Sequence, residues 1–381
     1  MLDANAPDSE AAIAEAIREA DGPLAIVGGG TRPVGGPREG ERLSTAGLSG
    51  ITLYEPGALT LVAKAGTPLA EIEAALAAEG QGLPFEPVDH RGIFGTEGAP
   101  TLGGAVASGA SGPRRVAVGA VRDFLLGVRF VDGSGQVIKN GGRVMKNVTG
   151  YDLVKLMCGS HGTLGVLTEV SLKVLPSAAA RATLVLEGLD TGSAVKAMAA
   201  AMGSPFEVTG AAYDPEAGET MLRLEGFATQ VAYRAERLQS LLAPFGAARL
   251  ESDPDAVATR WTGIRDVAMA HGTGEDLWRI SVKPSDGTQV AAALGGARFM
   301  LDWAGGLVWA ATAPGTDVRA RLAGIPGHAT LLRAAPETRA RLGTFHPEPS
   351  PVAALAAGLR ARFDPRGVLN PGLMDTWVVT A

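Results

Sequence analysis

Ile13 and Ile17 stand four apart among alanines, behind Asp8, Ser9 and Glu10, and predict a short amphipathic helix over residues 8–20. An apolar run from Leu24 to Val27 then breaks into Gly28-Gly29-Gly30-Thr31, the pattern of a buried strand feeding a glycine loop. Further strands are predicted at 51–54 and 59–64. Thr67 and Pro68 open a helix whose Leu69, Ile72 and Leu76 share one face, and Gly80 and Gly82 end it. Strand-like segments follow at Leu125 to Val131 and Val137 to Ile138, joined through Asp132-Gly133-Ser134-Gly135 as a hairpin. The alternation from Gly165 to Leu175 predicts another strand, which Pro176 stops.

Past Pro176 the pattern changes. Four of the five tryptophans, Trp261, Trp278, Trp303 and Trp309, fall between residues 181 and 340. Strands are predicted at 182–187, 219–225, 276–282 and 306–312, with helices near 191–202 and 228–243, which suggests a second α+β layer. A link rich in proline (Pro347, Pro349, Pro351) leads to a last helix and the tail from Phe363 to Gly372. No internal repeat and no low-complexity tail is present.

Composition sharpens one point. The chain of 381 residues holds 52 glycines, about twice the usual share near 7%. They follow no collagen-like period, so they mark tight turns or close approaches of the backbone. The window from Gly92 to Gly165 contains 17 of them.

Net charge is −6 and the pI is about 5.5, which argues against a nucleic-acid binder driven by electrostatics. A single cysteine, Cys158, excludes an internal disulfide or a cysteine-held cluster and suits a reducing compartment. The acidic start lacks the build of a signal peptide, and no run of about 18 uncharged apolar residues is present. The reading is a soluble, cytoplasmic chain without a transmembrane segment.

Three stretches of small residues sit beside strands. In Gly28-Gly29-Gly30-Thr31-Arg32, adjacent glycines expose consecutive N–H groups to an anion, with Thr31 and Arg32 adding donors. A plain strand-to-helix turn is the alternative. The spacing matches neither a dinucleotide fingerprint nor a Walker loop. Between Thr101 and Arg115 only small side chains occupy 103–112, which lets a flat or long ligand lie against main chain. Thr101, Ser108 and Ser111 would add hydrogen bonds there, and Arg114 and Arg115 charge. Tight helix packing through small residues stands as the other reading. Cys158 to Val166 repeats the theme before a strand.

In order and spacing, these stretches resemble the FAD-binding proteins of the vanillyl-alcohol-oxidase (PCMH) type. The match also takes in Arg122-Asp123-x-x-Leu126-Gly127, Gly150-Tyr151-Asp152-Leu153, and the Asp364-Pro365-x-Gly367-Val368-Leu369-Asn370-Pro371-Gly372 tail. The motifs Val144 to Leu153, Gly112 to Arg115, Leu277 to Ser281, Asp302-Trp303-x-Gly305-Gly306 and Gly327 to Thr330 are similar to the FAD-binding subunits of bacterial glycolate oxidases, the GlcE type. That likeness spans nearly the whole chain.

The resemblance implies an α+β fold with a two-lobed FAD domain over residues 1–178, its lobes about 1–50 and 51–178. An α+β cap follows over 179–340, and a C-terminal segment, 341–381, returns to the FAD domain. It implies FAD, and because no cysteine or histidine stands where it would link the flavin, the FAD is expected to be noncovalent. Gly28, Gly29, Gly30, Thr31, Arg32, Thr101, Leu102, Gly103 and Gly104 would lie on the pyrophosphate side. Ala107, Ser108, Ser111 and Gly112 would run along the pyrophosphate and ribityl region, with Arg115 adding charge. Gly165 and Val166 would use their backbone, and Asn370 would approach the flavin ring. His161 departs from the glutamate that many wider relatives carry.

The resemblance further implies partners: a larger flavoprotein subunit and an iron–sulfur subunit, in a complex that oxidises glycolate to glyoxylate and can dock at the inner membrane. Catalytic members of the wider family hold a metal through paired histidines. His90, His161, His271, His328 and His346 form no such short pair, so no metal is expected. Arg279 as a carboxylate ligand and His328 as a base are the catalytic candidates, each also readable as structural. The chain could be an accessory flavoprotein subunit, a self-sufficient oxidoreductase of a hydroxy acid or a sugar-like alcohol, or a scaffold with a vestigial pocket.

Overall fold

The computed structural model describes residues 6–36, 38–143 and 150–374. Most of the Val144 to Leu153 motif lies outside the described residues. The chain is a mixed α and β structure, as the hydrophobic pattern predicts. The first helix runs Glu10–Glu19, with Ser9 Oγ accepting the Ala12 N–H at 3.3 Å and Ile13 and Ile17 fully buried. Strand β1 (Leu24–Val27) pairs in parallel with β2 (Glu41–Ser44). The polar Glu-Arg-Leu-Ser of β2, exposed over its first half, carries no strand pattern in the sequence.

Strands β3 (Ile51–Glu55), β4 (Thr60–Lys64), β6 (Leu125–Val131), β7 (Val137–Gly141) and β8 (Val166–Lys173) form an antiparallel sheet in the order β3-β4-β8-β6-β7. The short β5 (Gln81–Gly82) and β9 (Leu175–Pro176) pair beside it. The β6–β7 hairpin is held by Asp132, whose Oδ1 accepts the N–H groups of Ser134 and Gln136, each at 2.9 Å. Helix Leu69–Ala78 and the small-residue helix Leu102–Ser108 pack on this sheet through Ile72, Leu76, Leu102 and Val106.

The second half builds an eight-stranded sheet from β10 (Ala180–Glu187), β11 (Gly210–Asp214), β12 (Glu219–Gly226), β13 (Ala248–Glu251), β14 (Asp276–Val282), β15 (Arg298–Asp302), β16 (Leu307–Thr312) and β17 (Gly327–Arg333). Its order is β13-β10-β12-β11-β15-β16-β14-β17. Helices Thr191–Met202 and Ala228–Leu242 cover one face, packing with Trp278, Ile280, Val308 and Leu331. The other face, with Leu277, Leu307, Trp309 and Leu332, meets helix Pro254–Arg265 and also Val34 and Ile93 from the first half. That shared cluster joins the two halves.

Helix Ser350–Phe363 buries no residue completely. Beyond it the chain returns to β1: the Leu24 N–H donates to Val368 O at 2.7 Å, and the Asn370 N–H donates to Leu24 O at 3.0 Å. Val368 and Leu369 are buried with Ile13, Ile17, Leu24 and Ile26.

Candidate cofactor site

Where β1 ends, a cavity of about 560 Å³ opens between the glycine loop, the Leu102–Ser108 helix and the His161–Gly165 turn, a size usual for small-molecule sites. Three arginines line it, Arg32, Arg38 and Arg42, with His90 and His161 and, among the described residues, no carboxylate. The glycine loop is packed tightly. A Cβ at Gly28 would sit 2.5 Å from Thr101 Oγ1, and one at Gly29 would sit 1.6 Å from Ala99 O. Among the described residues, the N–H groups of Gly28 through Arg32 donate to no protein acceptor. Five consecutive free amides at a cavity wall form an anion-binding concavity.

The Leu102–Ser108 helix behaves differently. Its first amides are already spent: Leu102 N–H on Thr67 O, Gly103 N–H on Ala65 O, and Gly104 N–H on Thr101 Oγ1 at 3.2 Å. At Gly103 the tight-packing reading applies, because a Cβ would stand 2.8 Å from Ala65. At Gly104 a Cβ would meet only Thr101 Oγ1, at 3.1 Å, so this glycine opens the cavity wall.

Among the described residues, two of the lining arginines carry guanidinium nitrogens without partners. Arg32 Nε and Nη1 and Arg38 Nε are buried without a hydrogen-bond partner, while Arg38 Nη1 donates to Ile26 O at 2.5 Å. Burial, then the positive charges of Arg279 and Arg38, pushes the Arg32 guanidinium down to about 9, which leaves it charged at neutral pH. Burial, with Arg32 and Arg38 nearby, pushes the His161 imidazole down to about 3. The same forces, burial first and Arg32 next, hold His90 well below the usual histidine range. Both rings are neutral.

Comparison with known proteins decides the family. The chain is 37% identical over 358 residues to glycolate oxidase subunit GlcE of Escherichia coli (strain K12), covering 92% of each. The chain belongs to the GlcE family. Residues 5–141 of this GlcE-family chain match the FAD binding domain model. Partial relatives are 31–32% identical: glycolate oxidase subunit GlcD of Bacillus subtilis (strain 168), over 43% of this chain and 36% of GlcD, and a D-lactate dehydrogenase of Anaerostipes hadrus, over 49% and 38%. The fold is that of alkyldihydroxyacetonephosphate synthase, with a TM-score of 0.69 and 17% identity over 97% of this chain and 76% of that one. The GlcE-family chain is therefore an FAD-binding member of the FAD-linked oxidoreductases. The cavity suits this cofactor: FAD carries a diphosphate, and the free amides and the unpartnered guanidinium nitrogens of Arg32 and Arg38 are what a diphosphate needs.

Of the residues singled out by sequence, Gly28, Gly29, Gly30, Thr31, Arg32, Thr101, Gly103, Gly104, Ala107, Ser108 and Gly165 line this cavity. The other six lie elsewhere. Leu102 and Val166 are buried in the packing of the sheets. Ser111 Oγ accepts the Val121 N–H at 3.0 Å, and Gly112 O accepts Trp303 Nε1–H at 3.1 Å. Arg115 rests 4.5 Å from the Trp303 ring centroid. Asn370 uses both ends of its amide, Oδ1 accepting the Ile26 N–H at 2.8 Å and Nδ2 donating to His161 O at 2.9 Å. Arg38, Arg42 and His90 were not singled out, because Arg38 and His90 sit in loops and Arg42 in the polar strand β2, none with a periodic pattern. The one signal was an arginine series following the glycine loop.

Arg279 lies on β14 with its guanidinium 5.2 Å from the Trp303 centroid. His328, on β17, is exposed. His271 Nε2 lies 2.8 Å from Asp266 O, and His346 Nδ1 accepts the Ala329 N–H at 3.3 Å. Among the described residues no group of three or more His, Cys, Asp or Glu is placed to hold a metal, and no helix is long and apolar enough to cross a membrane.

Proposed function

We propose that the chain is the FAD-binding subunit of a glycolate oxidase complex that oxidises glycolate to glyoxylate and passes electrons to an acceptor. Its role there is accessory or electron-relaying, beside a larger flavoprotein subunit and an iron–sulfur subunit. The observation that carries this reading is a cavity with five free amides, two arginines with unpartnered guanidinium nitrogens and, among the described residues, no carboxylate, in a chain matching GlcE over 92% of its length.

The first half, residues 1–178, holds FAD in this reading, with 179–340 as a cap and 341–381 closing the β1 side. Gly28 to Thr31 and Arg32 bind the diphosphate, and Arg38 adds charge while its bond to Ile26 O fixes the loop. Gly104, Ala107 and Ser108 leave room along the wall. The bound flavin supplies hydride and electron acceptance. Neutral His90 and His161 can each accept or donate one hydrogen bond without adding charge. Cys158 is inert as a covalent anchor, since burial pushes its thiol up to about 11. The flavin is held noncovalently.

The purified chain, after reconstitution with FAD, is expected to show a two-banded flavin spectrum, and acid precipitation is expected to release all of it. Anaerobic glycolate should bleach this flavin only in the presence of the partner subunits. Bleaching of the isolated chain would instead make it a self-sufficient oxidoreductase. A chain that takes up no FAD would be a scaffold.

A further inference from the structure

The helix Ser350–Phe363 shows large apolar side chains to water. Val352, Leu355 and Leu359 are 47%, 71% and 41% exposed, and no residue of the helix is buried. Spacings of three and four set these side chains on one stripe. The half-buried Ala353, Ala356, Arg360 and Phe363 face the rest of the chain, with the Phe363 ring centroid 6.1 Å from that of Phe130. Single exposed leucines are ordinary on a folded surface. Three large apolar residues in one helical stripe are a contact surface without its partner. Gly358, one turn beyond Leu355, points the same way. A Cβ there would meet nothing within 4 Å, so packing within the chain does not require this glycine, which weakens a helix interior.

Both ends of the stripe carry charge. Glu348 stands just ahead of the first turn and Arg362 in the last. Neither has a hydrogen bond or ion pair among the described residues. Glu348, Val352, Leu355, Leu359 and Arg362 follow spacings of four, three, four and three, the seam of paired helices. The series is complementary to its own reverse. Run antiparallel to itself about Leu355, it sets Glu348 against Arg362, Val352 against Leu359 and Leu355 against Leu355.

We propose that this stripe docks a second copy of the chain, the two helices antiparallel across a two-fold axis at Leu355. Such an interface is isologous, so the Glu348 to Arg362 pairing occurs twice. Antiparallel helices also set opposite dipole ends side by side. The acid at one end suits a copy of this chain better than an anionic lipid surface. A helix of 14 residues is about 21 Å long, and its seam falls short of the roughly 800 Å² per partner of a standard interface. The pairing is therefore reversible and depends on concentration. It stands whether or not the cavity holds FAD.

The test is sedimentation velocity of the full chain from low to high micromolar concentration. A shift from monomer toward dimer is expected. Leu355→Glu should weaken the dimer roughly tenfold or more, with the melting temperature retained because Leu355 packs on nothing that holds the fold. Glu348→Arg and Arg362→Glu should each weaken it, and both exchanges in one chain should restore it. A chain that is monomeric at every concentration overturns the proposal, as does a dimer that Leu355→Glu leaves intact. A double exchange no tighter than the single ones overturns the antiparallel arrangement. If the chain is monomeric and Leu355→Glu abolishes binding to the larger flavoprotein subunit or to anionic vesicles, the stripe belongs to that occupant instead. A dimer that appears only when residues 375–381 are removed also overturns the proposal, by giving the stripe to that segment.

Discussion

His161 shows how one residue reports the charge of its surroundings. Its φ of +51° is a backbone state that asparagine adopts more readily than most side chains. Its ring is pushed down to about 3 by burial, Arg32 and Arg38. The folded chain therefore binds fewer protons than the unfolded chain below the ordinary histidine value. Stability is complete above about pH 6.5 and falls as pH drops toward 3, by up to about 1.4 kcal/mol per pH unit for this group. His161→Asn, which fits the backbone, should flatten that slope in urea titrations between pH 6.5 and 5. An unchanged slope would mean that His161 charges freely. Gly104 offers the steric counterpart. Because its Cβ would meet only Thr101 Oγ1, Gly104→Val should fold normally and lose FAD on gel filtration. Stoichiometric flavin in that variant would remove this helix from the cofactor wall.

At the scale of elements, the amphipathic first helix, the glycine loop after β1 and the β6–β7 hairpin were legible because period and turn chemistry agree there. Strands β11 and β13 were not. Gly210 to Asp214 has small residues buried by neighbours rather than by its own hydrophobicity, and β13 lies at a sheet edge with Leu250 exposed. Helix Pro254–Arg265 was also missed, although Asp253 caps it through the Ala256 N–H at 2.9 Å and Pro254 starts it. Its apolar face is narrow, because Trp261 does much of its packing. The site was legible as a glycine footprint. That the Gly28 loop has free amides, and the Leu102 helix has none, depends on long-range bonds to Thr67 and Ala65 that no local pattern shows. Trp261 Nε1–H donates to Thr183 Oγ1 at 2.9 Å, tying helix Pro254–Arg265 to β10 in a buried setting. Thr183→Val keeps the shape and orphans this donor, so a loss of about 1–3 kcal/mol is expected in chemical denaturation. No loss would mean that the indole finds another acceptor.

Across the whole molecule, two buried clamps connect distant chain. Arg223 of β12 grips Glu86 of the first half through both carboxylate oxygens, at 2.7 and 3.1 Å, and stacks 4.6 Å from the Trp261 centroid. Arg223→Met would leave Glu86 without its ion-pair partner, whereas Glu225 keeps Arg114 and Arg181, each at 3.0 Å; the change should cost about 3–5 kcal/mol, part of it restored by adding Glu86→Gln. The second clamp is Asn370, which joins β1 to the His161 turn and sits at φ +45°. Its amide bonds come from a segment some 340 residues from Ile26 in sequence, closing the cavity from behind. Asn370→Gly removes both side-chain bonds and relieves the backbone. It should cost the FAD-free chain about 1–3 kcal/mol for the unpaired Ile26 amide. Asn370→Ala should cost about 1 kcal/mol more, because a Cβ is strained at this φ. If Asn370 acts as a clamp, both variants should release FAD faster while the bound flavin keeps its absorption maxima. Shifted maxima with unchanged stability would instead place its amide on the flavin.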